Sequence, residues 1–72
     1  MALIKRSVKI SGHASSITLE PEFLDAITDI ASKKGMSLNQ LVSDIDAVRG
    51  DNNLSSAIRV YVLKTLSNAK AD

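Results

Sequence analysis

Nothing in this sequence can staple a small fold together: among 72 residues there is no cysteine and one histidine, His13. A chain of that length seldom draws more than roughly 3–5 kcal/mol from a core of its own. Disulfides and an intrachain zinc site both lie outside this composition, so association with a second copy is the device that remains. The apolar residues that would fill such an interior are nearly all Leu, Ile, Val and Ala, with Phe23 and Tyr61 the two aromatics. That choice suits packed helices and offers little surface on which bases could stack.

The periodicities divide the chain. From Ile4 to Ile10 the residues alternate, Ile4, Val8 and Ile10 against Lys5, Ser7 and Lys9, with Arg6 interrupting the apolar side. Such a pattern fits a half-buried strand, and the basic character leaves a mobile arm as the alternative. Ser11-Gly12-His13 reads as a turn, and Ser16-Ile17-Thr18-Leu19 as a second short strand. Pro21 suits the first turn of a helix, and Glu20, Glu22 and Asp25 suit the positive end of its dipole. Phe23, Ile27, Ile30 and Ala31, with Leu24 beside them, recur at helical spacing until Lys33-Lys34-Gly35 ends the run. Ser37 opens a capping box in which Gln40 should reach back to the cap, and Leu38, Leu41, Val42, Ile45 and Val48 form the stripe of a second helix. Gly50 to Asn53 has the composition of a turn. A third stripe, Leu54, Ala57, Ile58, Tyr61, Val62 and Leu66, favours a helix capped by Asn53 or Ser55, although Ile58 to Val62 is β-branched enough for a strand. The tail from Asn68 is expected to fray.

Charge and composition narrow the function classes. Net charge is only +1, but up to Leu19 there are three bases, Lys5, Arg6 and Lys9, and no acid. From Pro21 to Gly50 five acids face three bases, so the positive charge is concentrated at the N-terminal end, and a dimer would double it. No run of about 18 apolar residues and no apolar leader is present, which with the missing Cys points to the cytoplasm and away from membranes. Without Cys, without an ordered Ser-His-Asp set and with acids spread over solvated helix faces, no enzyme activity is expected. No cofactor and no metal site are expected either, since His13 stands alone. Asp46 and Arg49, three residues apart, suit a surface pair.

The stretch SSITLEPEFLDAITDIASKKGMSLNQLVSDI, about 30 of the 72 residues, closely resembles the ribbon-helix-helix pattern of Arc-type, CopG-type and Met-repressor-type proteins. The matching features are an alternating strand, an acidic and Pro-bearing helix start, a helical stripe, a Gly-x-Ser break and a second amphipathic helix. The whole chain is similar to a short bacterial subfamily with a KRSV-type leading segment, a GH turn and an NLSSAIRVYVL-type third helix. The resemblance implies a mainly helical fold with a short N-terminal strand, an intertwined homodimer with an intermolecular antiparallel β-ribbon, and an added third helix. Residues 1–13 would be a basic arm or extra strand, 14–50 the ribbon-helix-helix core, and 51–72 the third helix and tail. Physics points the same way, because a lone strand leaves its backbone groups unpaired.

In the resembled fold Ile17 and Leu19 point into the helices, and with Phe23, Ile27, Ile30, Leu41 and Ile45 they would form the dimer core. Ala14, Ser16 and Thr18 would face outward into the DNA major groove, which admits a β-ribbon. The start of the second helix, Ser37, Leu38 and Asn39, would grip a phosphate. Lys5, Arg6, Lys9 and His13 could lie along further phosphates; the other reading of Lys5, Arg6 and Lys9 is as charges that protect an edge strand. The implied function is that of a DNA-binding transcriptional regulator. The alternative is a dimeric protein-interaction module, or an antitoxin-type adaptor, working through its third helix; Ala14 favours it, since Ala offers a base only an apolar contact where the family pattern commonly has a basic or amide residue.

Overall fold

The computed structural model describes residues 2–70. Two strands, β1 (Ile4–Ile10) and β2 (His13–Leu19), are followed by three helices, α1 (Pro21–Lys33), α2 (Leu38–Val48) and α3 (Leu54–Lys70). The strands form an antiparallel hairpin with Ile4 opposite Leu19, Arg6 opposite Ile17 and Ile10 opposite His13. Segment 4–10 is thus a strand, and β2 begins three residues earlier than the alternation at Ser16 suggests. The two-residue turn explains both. Ser11 (φ 52) and Gly12 (φ 83) take left-handed backbone conformations, the twist that lets two strands continue straight into each other.

One edge of the strand around Ile17 is thus paired within the chain, by β1. Its inner face, carrying Val8, Ile17 and Leu19, is covered by the helices. The chain also has an interior of its own. Twelve apolar residues are buried together within the chain, among them Ile17, Leu19, Ile27, Ile30, Leu41 and Ile45. Phe23 is half-buried, and Leu24 takes the inward place on α1.

What completes this core is α3. Ile58 and Val62, one turn apart, are sealed against the other elements. Asn53 caps the helix, its Oδ1 accepting from the Ser56 amide at 3.3 Å. Arg59, next to Ile58, reaches back 39 residues to donate from Nε to Glu20 Oε1 at 2.8 Å, tying α3 to the junction of β2 and α1. That hydrogen bond, and after it the backbone amide of Glu20, hold the Glu20 carboxyl below its ordinary pKa. Leu66 stays exposed where α3 outruns the core, and the segment from Asn68, read as a fraying tail, is helical as far as Lys70. Val48, placed by its spacing in the stripe of α2, is instead 83% exposed, because the chain turns away at Arg49 before α3 can cover it.

Two outcomes test this description. Ile58→Ala should destabilise the protein by about 2–5 kcal/mol in urea titrations, as a buried aliphatic deletion does. Glu20, with its pKa lowered by folding, adds stability above its unfolded pKa and loses it as pH falls through the folded value. Thermal melts between ~pH 6 and ~pH 3 should then fall more steeply for the natural chain than for Glu20→Gln.

Candidate nucleic-acid interface

The alternation of the hairpin places six side chains on its outer face as cross-strand neighbours: Lys5 with Thr18, Ser7 with Ser16, and Lys9 with Ala14. Two cations, three hydroxyls and a methyl share this face, and no acid stands on it. Short side chains on β2 leave its backbone near the surface, while the longer lysines all belong to β1.

Both edges of the hairpin follow from the register. Lys9 turns its backbone groups away from β2: its N–H donates to Asn39 Oδ1 at 3.2 Å, and its C=O accepts from Ser43 Oγ at 3.3 Å. Ser43 Oγ also accepts from the Ser11 amide at 3.4 Å. Side chains one turn apart on α2 thus cap the outer edge of β1 at Lys9 and the turn at Ser11, while the same edge at Lys5 and Ser7 carries no such cap among the described residues. In an antiparallel ladder, opposed residues whose backbone groups point away from each other alternate with those that exchange hydrogen bonds. The Lys9–Ala14 pair is of the outward kind, so Ala14, Ser16 and Thr18 direct their N–H and C=O groups to the far edge of β2. Among the described residues no strand pairs with that edge.

At the hairpin tip, a hollow of about 460 Å³ separates Lys9 and Gly12 from the start of α2. Ser37 is the N-cap, its Oγ accepting from the Gln40 amide at 3.1 Å, which leaves the Leu38 and Asn39 amides as free donors at the positive end of the helix. The expected return contact from Gln40 to the cap is corrected: Gln40 Nε2 donates forward to Asp44 Oδ1 at 3.0 Å, one turn along the helix. An acid therefore borders this hollow, with its charge partly satisfied.

Of the residues singled out from sequence, Lys5, Lys9, Ala14, Ser16 and Thr18 come together on one face, and Ser37 and Asn39 gather near Lys9. Arg6 does not join them, since the alternation sets it on the other side of the hairpin, opposite Ile17, where it is exposed. His13 is exposed beside the turn, and Leu38 has a half-buried side chain that leaves only its amide to serve. Ser7 belongs to the face without having been a candidate, although the alternation of β1 contains it. Ser43 carries no local signal at all, because its partners lie more than 30 residues away. Asp46 and Arg49 pair at 2.6 Å as their spacing suggests. Among the described residues no group of three or more His, Asp or Glu could hold a metal, and no helix is long and apolar enough to cross a membrane.

A β-segment with a polar outer face, followed by two helices joined through a glycine break, defines a ribbon-helix-helix unit, here with a further strand before it and a further helix after it. The ribbon-helix-helix domain family model matches residues 3–66, and the chain belongs to that family. It is similar to a solved structure, that of an uncharacterized protein from Bordetella pertussis Tohama I, at 30% identity and a TM-score of 0.79 over 97% of this chain. The match covers 61% of that protein, so this chain spans about three fifths of its length. No curated protein matches.

The capped edge generates a prediction. Asn39→Ala should speed hydrogen exchange at the Lys9 amide and Ser43→Ala at the Ser11 amide, each leaving exchange at Ile27 and Ile58 close to that of the natural chain.

Proposed function

We propose that the protein is a DNA-binding transcriptional regulator acting as a homodimer, the two copies joined along the open edge of β2. The observation that carries this reading is the outer face of the hairpin, basic and acid-free beside a strand edge whose backbone is unpaired. Two β2 strands related by a twofold axis would form the ribbon that the family resemblance implies. Each β1 would flank it, giving a four-stranded sheet. With strands about 4.8 Å apart, the two β2 strands lie within roughly 2.5 Å of the axis and the two β1 strands about 7 Å from it. The major groove is about 12 Å wide, so the central pair matches its floor and the outer pair its rims.

That geometry separates two tasks. Ala14, Ser16 and Thr18 meet base edges, where hydroxyls exchange hydrogen bonds and methyls touch thymine. Lys5 and Lys9 meet phosphates, which fix register and supply affinity without reading sequence. The Leu38 and Asn39 amides, behind Lys9, add a phosphate contact at the positive helix end. Arg6 and His13 have no part in this arrangement.

Affinity for duplex fragments drawn from the source genome, measured by fluorescence anisotropy over a salt series, should fall linearly on logarithmic axes. Lys5→Gln and Lys9→Gln should each flatten the slope by about 2 per dimer, with little change in sequence preference. Ser16→Pro removes an amide that faces the open edge and touches no β1 bond, so it should yield folded monomers by sedimentation and abolish tight binding. Salt-independent binding, or none to any fragment, would sink the proposal, as would a dimer that survives Ser16→Pro.

A further inference from the structure

On the helical side, away from the hairpin, residues of α2 and α3 border a groove of about 560 Å³. Its floor is apolar, formed by Met36, Leu41, Ile45 and Ala57, with Val48, Val60 and Tyr61 along the walls. Val48 at 83% and Val60 at 48% exposure are large apolar groups in water, and Leu63 at 64% prolongs the same surface along α3. Groups that could have turned inward are held outward here by the helices that carry them, and clustered exposed apolar surface of this kind marks a docking site.

The rim decides what docks. Lys34 and Lys64 stand on it, Lys34 with its Nζ 6.0 Å from the centre of the Tyr61 ring. Arg49 also lines the groove but is already engaged by Asp46 and by the Asn52 carbonyl. Asp44 is the acid of the lining, and its carboxylate is bonded by Gln40. The cations left to meet a partner are therefore two lysines, neither of them in an ion pair among the described residues.

From this arrangement we infer that the groove seats an acidic amphipathic helix of a partner protein. The wall from Ser56 to Lys64 is about 12 Å long, room for two turns whose apolar residues at i, i+3, i+4 and i+7 fill the groove. Carboxylates beside that stripe meet Lys34 and Lys64. The surface of a second copy outside its own groove does not fit the requirement. Its exposed large apolar residues outside the groove are Leu3 and Ile4, adjoining Lys5 and Arg6, and Leu63 and Leu66, flanking Lys64. Each would bring cation against cation. The acidic outer face of α1, with Glu22, Asp25 and Asp29, has no large apolar residue exposed to fill the groove. The inference is independent of DNA binding, since no hairpin residue lines the groove.

Two synthetic peptides of about 14 residues, both with Leu at i, i+3, i+4 and i+7, one with Glu and one with Lys at the flanking positions, provide the test. They are titrated into the full chain and followed by amide chemical shifts. The Glu peptide should bind, with shifts centred on Met36, Ile45, Val48, Ala57, Val60 and Tyr61, and the Lys peptide should bind at least about tenfold more weakly. Val60→Asp, at an exposed position, should reduce binding of the Glu peptide by about tenfold or more without lowering thermal stability. Reversing both lysines, Lys34→Glu with Lys64→Glu, should invert the preference between the peptides. Equal binding of the two, binding of neither, or shifts confined to the hairpin would overturn the inference. So would a change from dimer to monomer on Val60→Asp, which would give the groove to a second copy.

Discussion

Pairing of β1 with β2 is the contact from which the rest of this molecule follows. A lone strand ahead of two helices has both edges open and one face to cover, and a chain built that way depends on a second copy for its backbone as well as its interior. The Ser11-Gly12 turn changes this dependence. One edge of β2 is satisfied by its own chain, β1 brings Val8 to the inner face, and α2 covers the Lys9 end of the outer edge of β1 through Asn39 and Ser43. Among the described residues the edge of β2 stays open along its whole length, and that of β1 only toward Lys5 and Ser7.

The interior obeys the same logic at the level of side chains. In a strand and two helices, one side of the helical pair lies bare. Here α3 folds across it, Ile58 and Val62 taking their places between α1 and the hairpin, and the Arg59–Glu20 pair fastens it where it matters for alignment. The pair is half-exposed, and its worth lies in fixing position more than in net energy. Independence of the core from a second chain is compatible with dimers, and it shifts what holds them. Association along β2 would add backbone hydrogen bonds to a core that the chain already fills.

Much of this is legible in the sequence. Alternation locates β1 and β2, Pro21 and the acids around it locate α1, and the Gly35-x-Ser37 break separates α1 from α2, because each of these signals is local. The outer-face residues Ala14, Ser16 and Thr18 follow from period alone, once Ile17 and Leu19 are set inward. Legibility fails where contacts span the chain. Nothing near Ser43 announces that it will bond Lys9 and Ser11, and nothing near Glu20 announces Arg59. Charge groups Arg6 with Lys5 and Lys9, although the alternation of the same strand sets it on the opposite side. Val48 matches its stripe by spacing yet stays in water, since a periodicity describes one helix and not the angle at which the next departs.

Helix α2 is a single rigid rod of 11 residues that holds two surfaces at once. Through Asn39 and Ser43 it grips the strand bearing Lys5 and Lys9, and through Ile45 and Val48 it forms one bank of the groove. These contacts are set at different angles around the same cylinder, so the helix cannot roll to suit one of them without disturbing the other. In a molecule of this size one helix thus fixes the spacing between two surfaces that share no residue of the hairpin face.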